Sequence, residues 1–267
     1  MTMASGARED LRDIRPLQFR ELLDAPYALV RSGGWSMLLI MAAAAATTVW
    51  ASSWIDSGGD RWDSVVWVVV VAVLVSIPFR MLTAGVLTLT AAAAVTGRPI
   101  TWSQPWMLLR SNVVQLAGVR LLIMAAQLLA LLALAITCVG SVVAPAGAAF
   151  VGANQILAQP VLLLEGSGAR AASRRSAALV GNLRMRCVGL LLTQWAVLAF
   201  LVLAGCVGPP LVAASFYPDW VGIVTLSVLI AVLLQFCTAV MACVRVTAYF
   251  DIRCRREGLD LIMRAAQ

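Results

Sequence analysis

The chain has 267 residues, of which 61% are hydrophobic and 12% charged, and its formal net charge is +7. Its mean hydropathy is +0.91. Soluble globular domains are about 45–50% apolar and about 25% charged, so this composition excludes a soluble protein and predicts an all-α polytopic integral membrane protein.

Two absences bear on chemistry. The chain has no histidine, and its twenty basic residues are all arginine. Histidine is the usual general base and metal ligand near neutral pH, lysine is the usual amine nucleophile, and arginine does not readily give up its proton. The six cysteines are scattered, with no C-x-x-C pair. The sequence therefore predicts no enzyme, no metal site and no cofactor.

The N-terminal segment predicts a polar tail and then a surface helix. Residues 1–14 are polar, and the charges of the first 24 residues are of both signs without an early apolar core, so we expect no secretory signal and a first span that is retained as an anchor. One helical stripe follows at offsets 0, 3, 4, 7, 8 and 11. Its members are Phe19, Leu22, Leu23, Pro26, Tyr27 and Val30. Pro26 lacks a backbone N–H and is expected to bend this helix.

Six segments satisfy the requirement for a membrane span, which is about 20 mostly apolar residues. They are Trp35–Ser53, a span within Ser64–Thr96, Ala117–Val143, Ala144–Leu164, Cys187–Val207 and Trp220–Ala248. The boundary between the third and the fourth rests on GSVVAPAG (140–147), a sequence typical of a turn. The predicted fold is six transmembrane helices with cytoplasmic amphipathic surface helices.

The arginines predict the orientation in the membrane. With the N-terminus inside, eighteen arginines lie in cytoplasmic segments and only Arg61 lies outside. Short cytoplasmic loops carry the excess of positive charge in membrane proteins. We therefore expect a multi-pass protein of the cytoplasmic (plasma) membrane with both termini in the cytoplasm.

An arginine-rich stretch separates the fourth span from the fifth. Small and apolar residues recur near helical spacing between Ala169 and Leu183, and the arginines fall mainly on other faces. This pattern predicts a helix at the level of the lipid headgroups, with its arginines on the phosphates. The predicted headgroup contacts are Arg170, Arg174, Arg175, Arg184 and Arg186.

Carboxylates at the ends of the fourth and sixth spans lie beside dense arginines. Such carboxylates are expected to form ion pairs that hold the helix ends together, and a catalytic pair is the alternative. The residues concerned are Glu165, Asp251, Arg253, Arg255, Arg256 and Glu257.

Two segments align without gaps at an offset of 83 residues. Arg15–Ala43 and Arg98–Ala126 are identical at nine of 29 positions, and a third copy would begin near residue 167. This predicts one membrane domain, 15–257, built from three units of surface helix and transmembrane hairpin (15–97, 98–166 and 167–257), with a C-terminal tail at 258–267. Chance alignment of apolar segments is the alternative.

Arg80 lies about half-way along the second apolar segment. A charge at the centre of a bilayer costs about 2.5–3.5 kcal/mol and is expected to face the protein interior. The amides that could solvate it are Gln127, Asn154, Gln155, Gln159, Gln194 and Gln235. Two interpretations stay open: a polar cavity for an anionic or zwitterionic ligand, and an arginine that snorkels to the surface.

Three segments resemble one known family. IRPLQFRELLDAPYALVRS (14–32) resembles the entry segment of actinobacterial proteins of the glycerophosphoryl diester phosphodiesterase membrane-domain family. PVLLLEGSGARAASRRSAALV (160–180) resembles their central signature, and TAYFDIRCRREGLDLIM (247–263) their terminal one. The phosphodiesterase of that family is a separate soluble barrel that uses histidines and metal-binding carboxylates. The resemblance therefore implies a stand-alone membrane domain without a catalytic domain.

Three functions are compatible with this sequence. The favoured one is a non-catalytic membrane protein that scaffolds partners or interacts with lipids. The second is a transporter or flippase-like protein for a small or lipidic anion, and the third is an embedded enzyme for lipid headgroups, which would need Glu165 and Asp251 as acid and base. The predicted partners are the bilayer, anionic headgroups and proteins of the membrane or cytoplasm; nucleic acid is not among them.

Overall fold

The structure, a computed structural model, describes residues 16–31, 34–53, 61–97, 101, 103–135, 140–216 and 219–258. These residues are almost entirely helical. The α-helices are α1 (Phe19–Val30), α2 (Gly34–Ser52), α3 (Arg61–Thr96), α4 (Ser103–Ala135), α5 (Gly140–Ala153), α6 (Ala158–Glu165), α7 (Ala169–Val180), α8 (Arg184–Phe216) and α9 (Asp219–Glu257), and a 3-10 turn, Gly181–Leu183, joins α7 to α8. The predicted all-helical class is confirmed for this part of the chain.

Five segments of the described chain are long and apolar enough to cross a membrane. They are Gly34–Ser52, Val70–Thr96, Ala146–Glu165, Ala169–Gly205 and Thr225–Glu257. Each overlaps one of the six predicted spans. The remaining one, Ala117–Val143, runs across residues 136–139, which lie outside the described residues, so the sixth span stays a prediction.

The turn predicted at GSVVAPAG (140–147) is wrong, since these residues are helical. GSVVAPAG lies within α5, and the helix continues through Pro145 although an interior proline removes one backbone hydrogen bond. The chain instead turns at residues 154–157, between α5 and α6, inside what was predicted as one continuous span. The sequence of this turn, Asn-Gln-Ile-Leu, contains neither glycine nor proline, so turn-residue statistics miss it.

The repeat units and the boundaries of the single membrane domain stay predictions. The first surface helix, α1, is separate from the first span, α2, whereas the aligned segment forms one continuous helix, α4. At an offset of 83 residues, the interval between α1 and α2 falls on Val114, Gln115 and Leu116, well inside α4.

The described chain divides into two compact units. The first unit comprises Met1–Gly33, Gly85–Gln194 and Val240–Gln267, and the second comprises Gly34–Ala84 and Trp195–Ala239. In the first unit, the C-terminal half of α9 is the most buried element, and Cys243 and Val246 pack with Leu29 of α1 and with Ala91 and Val95 of α3. Because α1 contributes to this core, it lies on the protein as a packed helix.

In α1, the predicted helical stripe is buried only in part. Leu22 and Pro26 are buried, and Phe19 is 41% exposed. The helix continues through Pro26 and begins at a capping box in which the Gln18 N–H donates to Glu21 Oε2 at 2.7 Å.

In the second unit, α9 packs against the other helices through small and polar residues. Ser227 of α9 donates to Ser52 of α2 at 3.2 Å, and Gln235 of α9 accepts from Thr83 of α3 at 2.8 Å. A Cβ on Gly205 of α8 would lie 2.7 Å from Leu233 Cδ1, so glycine leaves room here for the Leu233 side chain of α9.

The outer surface of this unit is apolar. Its exposed side chains include Trp35, Leu38, Leu39, Trp50, Leu74 and Phe200. Soluble proteins rarely expose so continuous an apolar surface, and tryptophans near both ends of α2 are typical of the two membrane–water interfaces.

Gly181 ends α7, and we predict that Gly181→Ala destabilises the protein by about 1–2 kcal/mol. Its φ is +27°, a region that side chains disfavour, and an added Cβ would collide with the Arg256 guanidinium. That guanidinium caps α7 by donating to the Ala178 carbonyl at 2.8 Å. The measurement is the thermal unfolding midpoint in detergent.

Gly168→Ala is the matched control at the other end of the same helix. Gly168 has a φ of −65° and no atom within 4 Å of an added Cβ. We expect this variant to unfold at or slightly above the wild-type temperature, because alanine restricts the unfolded chain. Equal midpoints for the two variants would contradict the strain at Gly181.

Candidate functional site

Helix α7 has one buried face and one cationic face. Ala172, Ser176, Leu179 and Val180 recur at helical spacing and are buried in the first unit. The arginines at 170, 174 and 175 are exposed. The helix is therefore held on the protein by its small and apolar residues, and its outer face carries the positive charge.

The five arginines of this stretch have different partners. Arg175 forms ion pairs with Glu257 and, through Nε at 3.5 Å, with Glu165. Arg184 donates from Nε to Asn154 Oδ1 at 2.8 Å and lies over the Phe150 ring.

Arg186 is also bound by protein, since it donates to the Leu17 carbonyl at 2.6 Å. Within the described chain, Arg170 and Arg174 have neither a hydrogen bond nor an ion pair to protein. Of the five arginines predicted to contact headgroups, these two have guanidinium groups that no described residue of the protein engages.

A cluster of charges joins the ends of α6 and α9. The Tyr249 hydroxyl donates to Glu165 Oε1 at 2.9 Å, and Arg253 Nη1 donates to the same hydroxyl oxygen at 2.8 Å. Arg253 Nε donates to Glu257 Oε2 at 2.7 Å. Because Arg175 in the middle of α7 reaches both Glu165 and Glu257, α7 is tied to the ends of α6 and α9. Every carboxylate of this cluster has an arginine beside it, which suits packing better than proton transfer.

A second cluster holds the backbone of Leu17. Asp251, whose side chain is 1% exposed, accepts the Leu17 N–H at 2.8 Å. Arg255 bonds to both carboxylate oxygens, at 3.0 and 3.2 Å, and Arg186 lies 3.5 Å from Oδ2. Both arginines also donate to the Leu17 carbonyl. The segment before α1 is thus fixed by one carboxylate and two guanidinium groups.

The turn between α5 and α6 is satisfied by side chains of α7. The Ser176 hydroxyl donates to the Asn154 carbonyl at 2.7 Å and accepts the Leu157 N–H at 3.2 Å. Ser173 donates to Gln155 Oε1 at 2.8 Å. A buried helix break leaves backbone groups without intrahelical partners, and here α7 supplies them.

Arg80 belongs to the second unit, where its Nε donates to Thr238 Oγ1 at 3.0 Å. Of the predicted amide partners, Gln235 lies in the same unit but bonds to Thr83 Oγ1 and to the Ser76 carbonyl. The partner of Arg80 is therefore the hydroxyl of Thr238, whereas the sequence prediction considered only amide side chains.

The other amides are engaged within the first unit. Asn154 binds Arg184, Gln155 binds Ser173, and Gln194 accepts from the Tyr27 hydroxyl at 3.1 Å. Gln127 lies in α4, and its side chain is outside the described residues. These described amides therefore do not surround Arg80, and each one is hydrogen-bonded to a different residue.

Sequence reasoning missed two partners of Gln159, which are Thr88 and Arg245 in the first unit. Gln159, 1% exposed, donates to Thr88 Oγ1 at 2.8 Å and accepts from Arg245 Nη1 at 3.2 Å. The signal was present, because Arg245 lies inside the predicted sixth span. It was counted with the arginines at the end of that span.

Comparisons with protein-family models, with curated proteins and with solved structures give no match. Function is therefore inferred from the residues and their contacts.

Proposed function

We propose that this chain is a non-catalytic membrane protein that binds anionic lipid headgroups through the cationic face of α7. The observation that carries the proposal is the state of Arg170 and Arg174. Both are exposed, and neither has a polar contact to protein among the described residues, whereas the opposite face of the same helix is buried. Two exposed guanidinium groups without a polar contact among the described residues suit phosphate oxygens.

The orientation proposed from the arginine count agrees with this role. With both termini in the cytoplasm, α7 lies on the cytoplasmic leaflet, which carries the anionic lipids that attract basic segments. The resemblance to the phosphodiesterase membrane-domain family supports the same assignment, a membrane domain that acts without a catalytic site. We also propose that the protein scaffolds protein partners on the cytoplasmic side.

The test uses the full-length chain in nanodiscs with mixed phosphatidylglycerol and phosphatidylcholine. We expect Arg170→Gln/Arg174→Gln to lower the enrichment of phosphatidylglycerol around the protein by roughly 30-fold at low salt. This estimate takes about 1 kcal/mol per arginine near an anionic surface. The enrichment around wild type should fall at high salt, because exposed charges are screened.

Arg20→Gln is the matched control. Arg20 is 93% exposed, but Asp24 lies 4.0 Å from its Nε and offsets its charge. We expect its lipid enrichment to equal that of wild type. An unchanged enrichment in the double variant, or the same loss in Arg20→Gln, would contradict the proposal.

The second candidate is a transporter for a small or lipidic anion, and the interrupted α5–α6 segment favours it. Discontinuous helices form substrate sites in many transporters. Here the polar groups of the turn are already bonded to α7, so transport would require α7 to move. Cross-linking α7 to the turn through Ser173→Cys and Gln155→Cys would abolish anion flux in liposomes if transport is the function, and would leave lipid enrichment unchanged.

A further inference from the structure

Arg80 is the only charged residue among the described side chains of the second unit. The unit otherwise consists of apolar and small polar residues, and its surface carries large apolar side chains such as Leu74 and Phe200. A guanidinium group in such surroundings is costly unless an anion or several hydrogen-bond acceptors compensate its charge. None of the described side chains of this unit is a carboxylate that could serve that purpose.

One nitrogen of Arg80 is held in a fixed direction. Its Nε donates to Thr238 Oγ1, and the Thr238 hydroxyl in turn donates to the Leu234 carbonyl at 2.8 Å. The hydroxyl proton is thereby used, and the oxygen is left to accept from the arginine. Thr238 is 3% exposed, so this anchor is rigid.

Within the part of the chain that the structure describes, no hydrogen bond or ion pair to protein involves the terminal nitrogens of Arg80. The nearby amide of Gln235 bonds to Thr83 and to the Ser76 carbonyl, so it does not compete for them. Within the described residues, the bond to Thr238 is the one hydrogen bond of the guanidinium, Cys237 is an electrostatic neighbour, and the side chain is half-buried. Nη1 and Nη2 therefore form an oriented pair of donors on a net positive charge.

We propose that Arg80 binds a phosphate oxyanion through Nη1 and Nη2, with Thr238 as the residue that positions its guanidinium. A planar fork of parallel N–H donors matches two oxygens of a phosphate group, as it does a carboxylate. The phosphate comes either from a phospholipid headgroup or from free phosphate. This site lies in the second unit, whereas α7 and its arginines belong to the first unit.

The experiment measures dissociation constants of two probes for the full-length chain in a non-ionic detergent, by native mass spectrometry and by thermal shift. The probes are phosphatidylglycerol and inorganic phosphate, with chloride at equal ionic strength as the reference. Saturable binding of phosphatidylglycerol alone assigns the site to a headgroup, and saturable binding of inorganic phosphate assigns it to a free anion. Absence of saturable binding of both probes to wild type would refute the site.

Three variants test the residues. We expect Arg80→Gln to raise the dissociation constant of the bound probe at least tenfold, because a hydrogen bond between charged groups changes an affinity by on the order of tenfold or more. Arg80→Lys keeps the charge but loses the fork, and Thr238→Val keeps the arginine but frees its Nε, so both should weaken binding several-fold. If Arg80→Gln does not fold, these two variants decide. Wild-type affinity in both would overturn the proposal.

Two controls separate this site from the proposed function. Arg31→Gln removes an exposed arginine at the end of α1, and we expect it to leave probe affinity unchanged. Arg170→Gln/Arg174→Gln should lose lipid enrichment in nanodiscs yet keep the Arg80 site. A loss of probe binding in that double variant would mean that the probe binds α7 and would refute Arg80 as the site.

Discussion

Asp251→Asn is expected to destabilise the protein by about 3 kcal/mol or more, the largest effect of any substitution considered for this chain. The carboxylate is 1% exposed and accepts from the Leu17 N–H and from Arg255, with Arg186 beside it. Removing one partner of a buried ion pair costs about 3–5 kcal/mol, and the lower end applies here because the Arg186 and Arg255 side chains are 26% and 31% exposed. The asparagine amide would also turn its N–H groups toward guanidinium donors.

The measurement is the unfolding midpoint in detergent, followed by limited proteolysis of the N-terminal segment. Since Asp251 holds the Leu17 backbone, we expect cleavage before α1 to become faster in the variant than in wild type. Asp24→Asn is the control, because its pair with Arg20 is 4.0 Å long and both side chains are more than three-quarters exposed. Exposed pairs contribute about 0–1 kcal/mol. Similar losses in the two variants would show that the Asp251 cluster does not anchor the segment.

Ser176→Ala is expected to cost about 2–4 kcal/mol, although it removes a single oxygen atom. Ser176 is fully buried, and its hydroxyl serves both the Asn154 carbonyl and the Leu157 N–H. Each buried backbone group left without a partner costs about 1–3 kcal/mol. We expect the turn between α5 and α6 to loosen, so hydrogen exchange at Leu157 should accelerate more than exchange in the centre of α9.

Ser111→Ala is the matched control for this substitution. Its hydroxyl is exposed and bonds to the Leu108 carbonyl of its own helix, so water can replace it. We expect a change below about 0.5 kcal/mol, as for most surface substitutions. The role assigned to Ser176 is contradicted if the two alanine variants unfold at the same temperature, or if exchange at Leu157 is unaffected.

Much of the fold could be predicted because hydrophobicity and its period are local properties. Five predicted spans overlap candidate spans, and the buried stripe of α7 contains residues whose spacing predicted it. The helix break was missed because it depends on a remote side chain. Asn154 and Leu157 leave the helix only where Ser176, 22 and 19 residues away along the chain, replaces their backbone partners.

For the charged residues too, the sequence predicts which ones lie close together, and the structure shows which atoms they contact. The sequence placed Glu165, Asp251 and Glu257 among arginines, and the structure shows which arginine each one contacts. In the structure, Arg184 binds Asn154 and Arg186 binds the Leu17 carbonyl, whereas Arg170 and Arg174 lie on the outer face of α7. A helical period assigns a face to an arginine, but only packing decides whether a second segment reaches it.

By itself, the sequence determined that this protein is helical, apolar and of net positive charge, because those properties are sums over residues or over single helical turns. Only the tertiary structure decided that Asp251 binds Leu17, 234 residues away, and that Thr238 orients Arg80. Hydrogen bonds require atoms within about 3 Å, a distance that residues remote in sequence reach only after the helices have packed.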